Sequence, residues 1–379
     1  MKAPARLGDG VDAIDTPALV IDLDAMDRNL ATMAAFARAH GMRLRPHAKM
    51  HKCAAIAKLQ IAAGAVGVCV QKVSEAEALA DAGIDDIYIS NEVIAEAKLA
   101  RVAALAGRVK LAIAVDSAPG VQGLADAVKA AGTTLDVFVE IDVGQGRCGV
   151  APAAAGALAH QVVSHGQVDR GMRFAGLQAY HGRAQHLRGA AEREAAVRHA
   201  VALVRAAQAS ITSAGIACPL VTGAGTGSFV FEAASAVYDE LQAGSYLFMD
   251  ADYAANQPAP HAPRFEHALF VKSQVMSRGA SHAVVDAGHK SHAIDSGLPC
   301  VWSPAGGPVP AFSNGGDEHG ILLAPDGAAL PELGGTVWLV PGHCDPTVNL
   351  HGHFVGVRGG LTVGTVDCIW TIDARGCVF

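Results

Sequence analysis

A lysine at the end of a polar strand pattern is the strongest candidate for covalent chemistry in this sequence. In the segment RLRPHAKMHK (residues 43–52), an extended backbone places Arg45, His47 and Lys49 on one face. Such a polar face fits the interior of a barrel near its mouth, where active sites form. A desolvated lysine beside other cations has a lowered pKa and can attack a carbonyl to form a Schiff base. A solvated basic loop is the alternative, and Lys52 is the rival nucleophile.

A histidine and a carboxylate with the spacing of metal ligands occur in the segment PGHCDPTVNLHGH. His343 and Asp345 project to one side of an extended strand, from which Cys344 points away. Imidazole and carboxylate together suit a divalent metal, and two protein ligands leave positions open for water or substrate. His351 and His353 are further candidates, although a solvent-facing strand is the better interpretation of them.

Polar side chains also follow two other apolar strand patterns. Arg147 in EIDVGQGRCGV can clamp an anionic oxygen, and Tyr180 in LQAYHGRAQH can lie against a planar cofactor. His181 and His186 are both candidates for a general base. A structural turn explains the first segment as well as a site does, and each histidine could instead be a satisfied core or surface residue.

A glycine-rich segment, TGAGTGS (residues 222–228), follows the last of the strand patterns that suggest a barrel. The loops after strands seven and eight of such barrels often bind a phosphate through backbone N–H groups. Its spacing does not match the P-loop, which disfavours nucleotide binding. Gly244 and Ser245 in LQAGSYLFMD are candidates to complete the phosphate site, and a generic turn is the alternative.

The elements that must position these residues alternate in the first two-thirds of the chain. Strand patterns alternate there with alanine-rich helical patterns, which predicts a parallel sheet closed into a (βα)8 barrel over residues 1–255. An open doubly wound sheet is the alternative. Residues 256–379 read as a mostly antiparallel β domain, on which the first ~15 residues could pack. The candidate barrel strands are Ala18–Ile21, Arg43–His47, Gly67–Val70, Asp86–Ser90, Lys110–Val115, Asp136–Ile141, Ala175–Ala179 and Pro219–Thr222.

Composition restricts the class of protein. Hydrophobic residues make up 51% of the 379 residues and charged residues 17%, so the chain can bury large cores. A net charge of −7 without basic clusters argues against nucleic acid as a partner. The start does not resemble a signal peptide, and no apolar run is long enough to span a membrane. With eight scattered cysteines, these features lead us to expect a cytoplasmic protein with reduced thiols.

The motifs occur together, in an order that resembles one enzyme family. RPHAKMHK, EIDVGQGRCGV, QAYHG with QH, TGAGTGS, ELQAGSY, DEHG and PGHCDPT are similar to the D-threonine aldolase and D-serine dehydratase group, whose fold is like that of alanine racemase. The resemblance covers nearly the whole chain. It implies a pyridoxal phosphate enzyme with a (βα)8 barrel and a C-terminal β domain. It also implies a homodimer whose active sites lie between one subunit's barrel and the other's β domain.

The resemblance also implies roles for individual residues. Lys49 would form the Schiff base with pyridoxal phosphate, Arg147 would lie near its phenolic oxygen, and Tyr180 would pack at its ring. His186 would be the base at the substrate hydroxyl, although His181 stays an alternative. The divalent metal would be bound by His343 and Asp345. The remaining candidate cofactor contacts are Thr222, Gly223, Gly225, Thr226, Gly244, Ser245 and Tyr246.

The implied reaction is a metal-dependent retro-aldol cleavage of a β-hydroxy-D-amino acid, with D-threonine giving glycine and acetaldehyde. The family's dehydratases have cysteine at the position of Asp345, and a carboxylate favours Mn²⁺ or Mg²⁺ over Zn²⁺. The alternatives are a 3-hydroxy-D-aspartate aldolase, a D-serine-type dehydratase and, from another class, a non-catalytic pyridoxal phosphate carrier. The family's GGGTG reads GAGTG here, so we expect a negative φ at Ala224.

Overall fold

The computed structural model describes residues 2–167, 170–303, 305–324 and 329–379. Its strands are β1 (Ala18–Asp22), β2 (Arg43–Leu44), β3 (Val68–Val70), β4 (Asp86–Ile89), β5 (Lys110–Val115), β6 (Thr134–Glu140), β7 (Gly166–Gln167), β8 (Arg170–Ala179), β9 (Val221–Gly223), β10 (Glu240–Leu241), β11 (Leu269–Arg278), β12 (His282–Val285), β13 (Cys300–Trp302), β14 (Ala311–Asn314), β15 (Gly320–Leu323), β16 (Thr336–Val340), β17 (His353–Arg358) and β18 (Thr365–Thr371).

The α-helices connect these strands. They are α1 (Leu23–Ala39), α2 (Ala54–Ala62), α3 (Val73–Asp81), α4 (Glu96–Ala106), α5 (Ala118–Ala131), α6 (Ala155–Ser164), α7 (Ala190–Ser213), α8 (Phe229–Ala234), α9 (Ala251–Ala254), α10 (Cys344–Val348) and α11 (Gly360–Val363). Short 3₁₀ helices occur at Val11–Ala13, Ala48–Met50, Pro152–Ala154, Arg183–His186 and Ser245–Leu247. In the described part of the chain, no helix is both long and apolar enough to cross a bilayer.

Eight parallel strands form the predicted barrel. Their order around it is β2, β3, β4, β5, β6, β8, β9 and β10. β10 pairs in parallel with β2, and a bridge between His47 and Cys69 joins the end of the β2 segment to β3. The (βα)8 fold class is therefore confirmed.

One predicted barrel strand belongs elsewhere. β1 pairs antiparallel with β11 and parallel with β17, so Ala18–Ile21 is wrong as a barrel strand. The missing barrel strand is the two-residue β10, which is too short to give a strand pattern. TGAGTGS therefore follows the seventh barrel strand, and Gly244 and Ser245 follow the eighth.

The second sheet contains β1 and the strands after residue 268, and its pairs are antiparallel apart from β1 with β17. This confirms the mostly antiparallel β domain, while the division between residues 255 and 256 stays a prediction. The segment after β16 reaches the barrel through backbone hydrogen bonds from Ala251 N to Pro341 O, 3.0 Å, and from Asp252 N to Gly342 O, 3.2 Å. These bonds bring His343 and Asp345 to the barrel mouth.

The barrel interior is polar along part of its axis. Barrels of this type are usually filled by branched apolar side chains. Here the guanidinium of Arg45 lies 2.6 Å from Asp86 Oδ1 and 3.2 Å from Glu240 Oε1, and Glu240 also accepts a hydrogen bond from the Thr222 hydroxyl. Gln242 continues this network from Thr222 to Gln178, which lies at the floor of a cavity in the barrel mouth.

Candidate active site

Lys49 lies at the barrel mouth, in the 3₁₀ helix directly after the first barrel strand segment. The backbone is not extended through Lys49 as predicted, because Ala48–Met50 forms this 3₁₀ helix. Arg45 points towards the opposite end, where it meets Asp86, whereas His47 and Lys49 both line the cavity at the mouth. Lys52 instead forms a 2.7 Å ion pair with Glu75, and its side chain is buried away from this cavity.

The lowered pKa predicted for Lys49 is wrong. Burial disfavours the charged amine, but the carboxylate of Asp345 and the hydroxyl of Tyr180 outweigh burial, so the pKa of Lys49 is raised. The Nζ of Lys49 lies 3.3 Å from Oδ2 of Asp345. The sequence predicted a lowered pKa because it placed only cations near Lys49. The carboxylate comes from 296 residues further along the chain, which sequence spacing could not reveal.

Most of the predicted site residues line one cavity of about 350 Å³. They come from the ends of several barrel strands and from the segment after β16. The members of the predicted set in this lining are Lys49, Arg147, Tyr180, His186, Gly225, Thr226, Gly244, Ser245, His343 and Asp345.

Three predicted cofactor contacts lie behind the cavity wall. Thr222 is buried in β9 and its hydroxyl donates to Glu240 Oε1 at 3.0 Å. Gly223 packs against the next strand, where an added Cβ would lie 2.4 Å from the carbonyl oxygen of Ala179. Tyr246 is fully buried, and its N–H donates to the Thr226 hydroxyl at 3.0 Å. These residues support the cavity wall, and their part in binding the cofactor stays a prediction.

Two glycines let the cavity wall after the seventh and eighth barrel strands pack closely against neighbouring protein groups. An added Cβ would lie 2.5 Å from Gln185 Oε1 at Gly225, and 2.7 Å from the carbonyl oxygen of His47 at Gly244. Ala224 between β9 and Gly225 has φ of 70°, so the negative φ expected there is wrong. This left-handed conformation costs an alanine about 1–2 kcal/mol, and the strain falls directly beside Gly225.

Gln185 joins the glycine-rich loop to the segment that carries His186. Its Oε1 accepts the N–H of Gly227 at 2.9 Å, and its Nε2 donates to the Ser228 hydroxyl at 2.7 Å and to the carbonyl of His181 at 3.2 Å. Gln185 is fully buried. The sequence analysis assigned it no role, although it forms part of the QH pair.

Arg147 and Tyr180 face the cavity together. The guanidinium carbon of Arg147 lies 5.7 Å from the centre of the Tyr180 ring, within the range of a cation–π interaction. Arg147 belongs to a loop in which Asp142 accepts the N–H groups of Gly144 and Gly146, at 2.9 and 3.1 Å. This turn presents the guanidinium to the cavity.

His186 rather than His181 faces the cavity. Its Nδ1 lies 2.6 Å from Oδ2 of the buried Asp252, which also accepts a hydrogen bond from Arg188. A carboxylate at this distance fixes the tautomer in which Nδ1–H donates and Nε2 is free to accept a proton. Asp252 is a site residue that the sequence analysis missed.

His343 and Asp345 face each other, with His343 Nε2 3.8 Å from Asp345 Oδ1. The segment is not the predicted strand, because His343 precedes α10 and Asp345 lies in its first turn. Cys344 does point away, and its N–H donates to Asp250 Oδ2. The pKa of His343 is raised, since the carboxylates of Asp345 and Asp295 outweigh its burial.

One chain supplies both halves of this site. The ion pair between Lys49 and Asp345 joins the barrel to the segment after β16 within the same chain. The expectation that these residues meet only between two subunits is therefore wrong. The homodimer itself stays a prediction.

Comparison with known proteins agrees with this geometry. Residues 21–252 match the family "Alanine racemase, N-terminal domain", and residues 268–357 match "Putative serine dehydratase domain". A D-threonine aldolase from Arthrobacter sp. is 47% identical, with 99% of this chain and 97% of that protein covered. A 3-hydroxy-D-aspartate aldolase from Paracoccus denitrificans (strain Pd 1222) is 42% identical, with coverage of 98% and 95%. The solved D-threonine aldolase of Filomicrobium marinum is 51% identical over the whole of both chains, with a TM-score of 0.94.

The chain belongs to the D-threonine aldolase family, within the alanine-racemase-like fold. It is therefore an enzyme, and its class is that of the lyases.

The cavity fits the pyridoxal phosphate that enzymes of this fold use. Lys49 offers a primary amine at its base, and the loops at Gly225 and Gly244, which would bind the phosphate, line the same cavity. Tyr180 and Arg147 supply an aromatic face and a cation beside that space. These are the groups that a planar, anionic aldehyde cofactor requires.

The pair His343 and Asp345 fits a divalent metal ion. Asp345 Oδ1 is buried and has no hydrogen-bond partner among the described residues, so a ligand for it is needed. His343 Nδ1 lies 2.8 Å from Asp295 Oδ2, which leaves Nε2 to face Asp345. A carboxylate behind a histidine ligand is the usual support in metal sites. Asp295, like Asp252, was missed by the sequence analysis.

Proposed function

We propose that this enzyme catalyses the pyridoxal phosphate- and metal-dependent retro-aldol cleavage of β-hydroxy-D-amino acids, converting D-threonine into glycine and acetaldehyde. The observation that carries this proposal is the meeting of Lys49, the His343–Asp345 pair and the His186–Asp252 pair at one barrel mouth. The names of the relatives in Arthrobacter and Filomicrobium support the choice of substrate.

His186 is the base of the proposed reaction. Its Nε2 removes the proton of the β-hydroxyl group, and Asp252 on the other side of the ring favours the imidazolium that results. The Cα–Cβ bond then breaks, the β-carbon leaves as an aldehyde, and Cα takes up a proton to give glycine.

Two groups held by this chain would complete the chemistry. Pyridoxal phosphate on Lys49 supplies an electron sink for the pair left at Cα. A divalent metal at His343 and Asp345 supplies a Lewis acid that lowers the pKa of the β-hydroxyl. The carboxylate of Asp345 favours Mn²⁺ or Mg²⁺ over Zn²⁺. The D configuration rests on the family alone.

The rival functions differ in what they require of the site. A 3-hydroxy-D-aspartate aldolase shares every group named so far and has the support of the Paracoccus relative. A D-serine-type dehydratase is disfavoured by the carboxylate of Asp345. A non-catalytic carrier of pyridoxal phosphate needs neither the His343–Asp345 pair nor the base pair of His186 and Asp252.

The proposal is tested by product analysis on protein dialysed against EDTA and loaded with pyridoxal phosphate. D-threonine, L-threonine, D-serine and 3-hydroxy-D-aspartate are each incubated with and without Mn²⁺, and glycine, aldehyde and 2-oxo acid are measured. We expect equal amounts of glycine and acetaldehyde from D-threonine, only with Mn²⁺, and none with Lys49→Ala. Pyruvate from D-serine would favour the dehydratase, and activity indifferent to the metal would contradict the role proposed for His343 and Asp345.

A further inference from the structure

We infer that Arg183 binds the substituent on the β-carbon of the substrate when it is a carboxylate, so that the site accepts such β-hydroxy-D-amino acids in addition to D-threonine. This inference rests on the proposed function and extends it to a substrate class. It identifies a cation that the sequence analysis did not find.

Arg183 lies beside the proposed base. Both Arg183 and His186 line the cavity, and they are the first and last residues of one 3₁₀ helix. In a 3₁₀ helix, side chains three residues apart eclipse each other. Because His186 is the proposed base at the β-hydroxyl, its neighbour Arg183 is placed to meet the other substituent on the β-carbon.

Arg183 is available for a ligand, whereas the other strong cations of the cavity have protein neighbours. Lys49 faces Asp345, and Arg147 lies over the Tyr180 ring. Arg183 is exposed to the cavity mouth and makes no hydrogen bond or ion pair within residues 2–167, 170–303, 305–324 and 329–379. A guanidinium can bind a carboxylate in a bidentate manner.

The surroundings of Arg183 favour an anion. Asp345 is the single carboxylate among the cavity-lining residues that the structure describes, and Lys49 already faces it. Gln145 anchors the start of the Arg183 helix, since its Oε1 accepts the N–H of Gly182 at 2.5 Å. A β-carboxylate would therefore meet a guanidinium held on an anchored segment, while the methyl group of threonine would gain nothing from it.

The test compares two substrates in three proteins. The kcat/KM values for 3-hydroxy-D-aspartate and D-threonine are measured with Mn²⁺ and pyridoxal phosphate for the wild type, Arg183→Gln and Arg198→Gln. Arg198 is an exposed arginine of α7 outside the cavity lining, so it controls for loss of a surface charge. We expect Arg183→Gln to lose roughly 10- to 100-fold on 3-hydroxy-D-aspartate and less than about 3-fold on D-threonine, while Arg198→Gln changes neither.

A binding measurement separates recognition from turnover. Malate and 3-hydroxybutyrate are 3-hydroxyaspartate and threonine without the amino group. Their inhibition constants should differ in favour of malate in the wild type and converge in Arg183→Gln, and Arg183→Lys should restore part of the difference.

Equal losses on both substrates would overturn the inference, because Arg183 would then bind the α-carboxylate. Unchanged kinetics in Arg183→Gln would overturn it as well. A wild-type protein that cleaves neither substrate would instead refute the proposed function.

Discussion

Two carboxylates, Asp252 and Asp295, each hold one histidine of the active site through Nδ1, at 2.6 Å from His186 and 2.8 Å from His343. In both cases the carboxylate leaves Nε2 directed away from it. One histidine can then accept a proton and the other can bind a metal, which makes the two pairs chemically distinct although they look alike.

Substitution of Asp252 by Asn should slow the reaction without removing the base. Asn keeps the shape but loses the charge that favours the imidazolium, so we expect kcat on D-threonine to fall by up to about 10²-fold. The absorbance of bound pyridoxal phosphate should not change. Full activity in Asp252→Asn would contradict a role of the Asp252 carboxylate in the reaction.

Substitution of Asp295 by Asn should weaken the metal site. We expect the Mn²⁺ concentration for half-maximal activity to rise by roughly 10- to 100-fold, with kcat recovered at saturating Mn²⁺. Asp367→Asn, which changes an exposed carboxylate of β18, serves as the control. An unchanged requirement for Mn²⁺ would contradict the supporting role of Asp295.

Among single residues, the sequence predicted the side chains that perform chemistry but not the side chains that orient them. Lys49, Arg147, Tyr180, His186, His343 and Asp345 all line the cavity. Asp252 and Asp295 lie 66 and 48 residues from their histidines, and each contacts its histidine only through the tertiary fold. Neither residue belongs to a recognisable motif.

At the scale of elements, the glycine-rich loop, the His186 segment and α8 are joined by buried side chains. Gln185 donates to the Ser228 hydroxyl, and Ser228 donates to Glu232 Oε1 at 2.7 Å. Burial raises the pKa of Glu232 to about 7, although its hydrogen bond from Ser228 opposes the change. Glu232 Oε2 has no partner among the described residues.

This buried carboxyl should make stability depend on pH. The pKa of Glu232 is about 7 in the folded state and near 4.5 when unfolded. The stabilisation that folding gains from the neutral carboxyl is therefore fully present below about pH 4.5 and is lost as pH rises to about 7. Glu232→Gln should therefore match the wild type at low pH and gain about 3 kcal/mol in free energy of unfolding above pH 8. Urea unfolding at several pH values measures this difference, and a constant difference would refute the shift.

The strand patterns predicted the barrel but misassigned one strand. β1 is apolar and buried almost throughout, as a central strand of either sheet would be, so its residues do not tell which sheet it joins. β10 has only two residues. Its place is set by pairing with β2 and β9, which are distant in sequence.

At the scale of the whole molecule, a network of buried ion pairs connects barrel strands at the end of the barrel opposite the active site. Arg45 bridges Asp86 of β4 and Glu240 of β10, and its own side chain is 7% exposed. Arg173 and Asp136 form a second pair at the same end of the barrel, but the Arg173 side chain is 62% exposed.

These two arginines should differ in their effect on stability. Arg45→Met leaves the buried Glu240 with Arg43, 3.1 Å away, as its remaining ion-pair partner and should lower the free energy of unfolding by about 3 kcal/mol. Arg173→Met removes an exposed pair and should cost less than about 1 kcal/mol. Urea unfolding of both variants measures the contrast, and similar losses would contradict a role for the buried network.

One chain brings His343 and Asp345 to Lys49, and this pair should bind the metal that the reaction needs. EDTA-treated, pyridoxal phosphate-loaded protein is titrated with Mn²⁺, while bound metal is followed by electron paramagnetic resonance and glycine formation is assayed in parallel. We predict one ion per chain, activity that rises with occupancy, and loss of both in His343→Ala and Asp345→Asn. Activity without bound metal, or undiminished Mn²⁺ binding in both variants, would show that this pair does not bind the metal of the reaction.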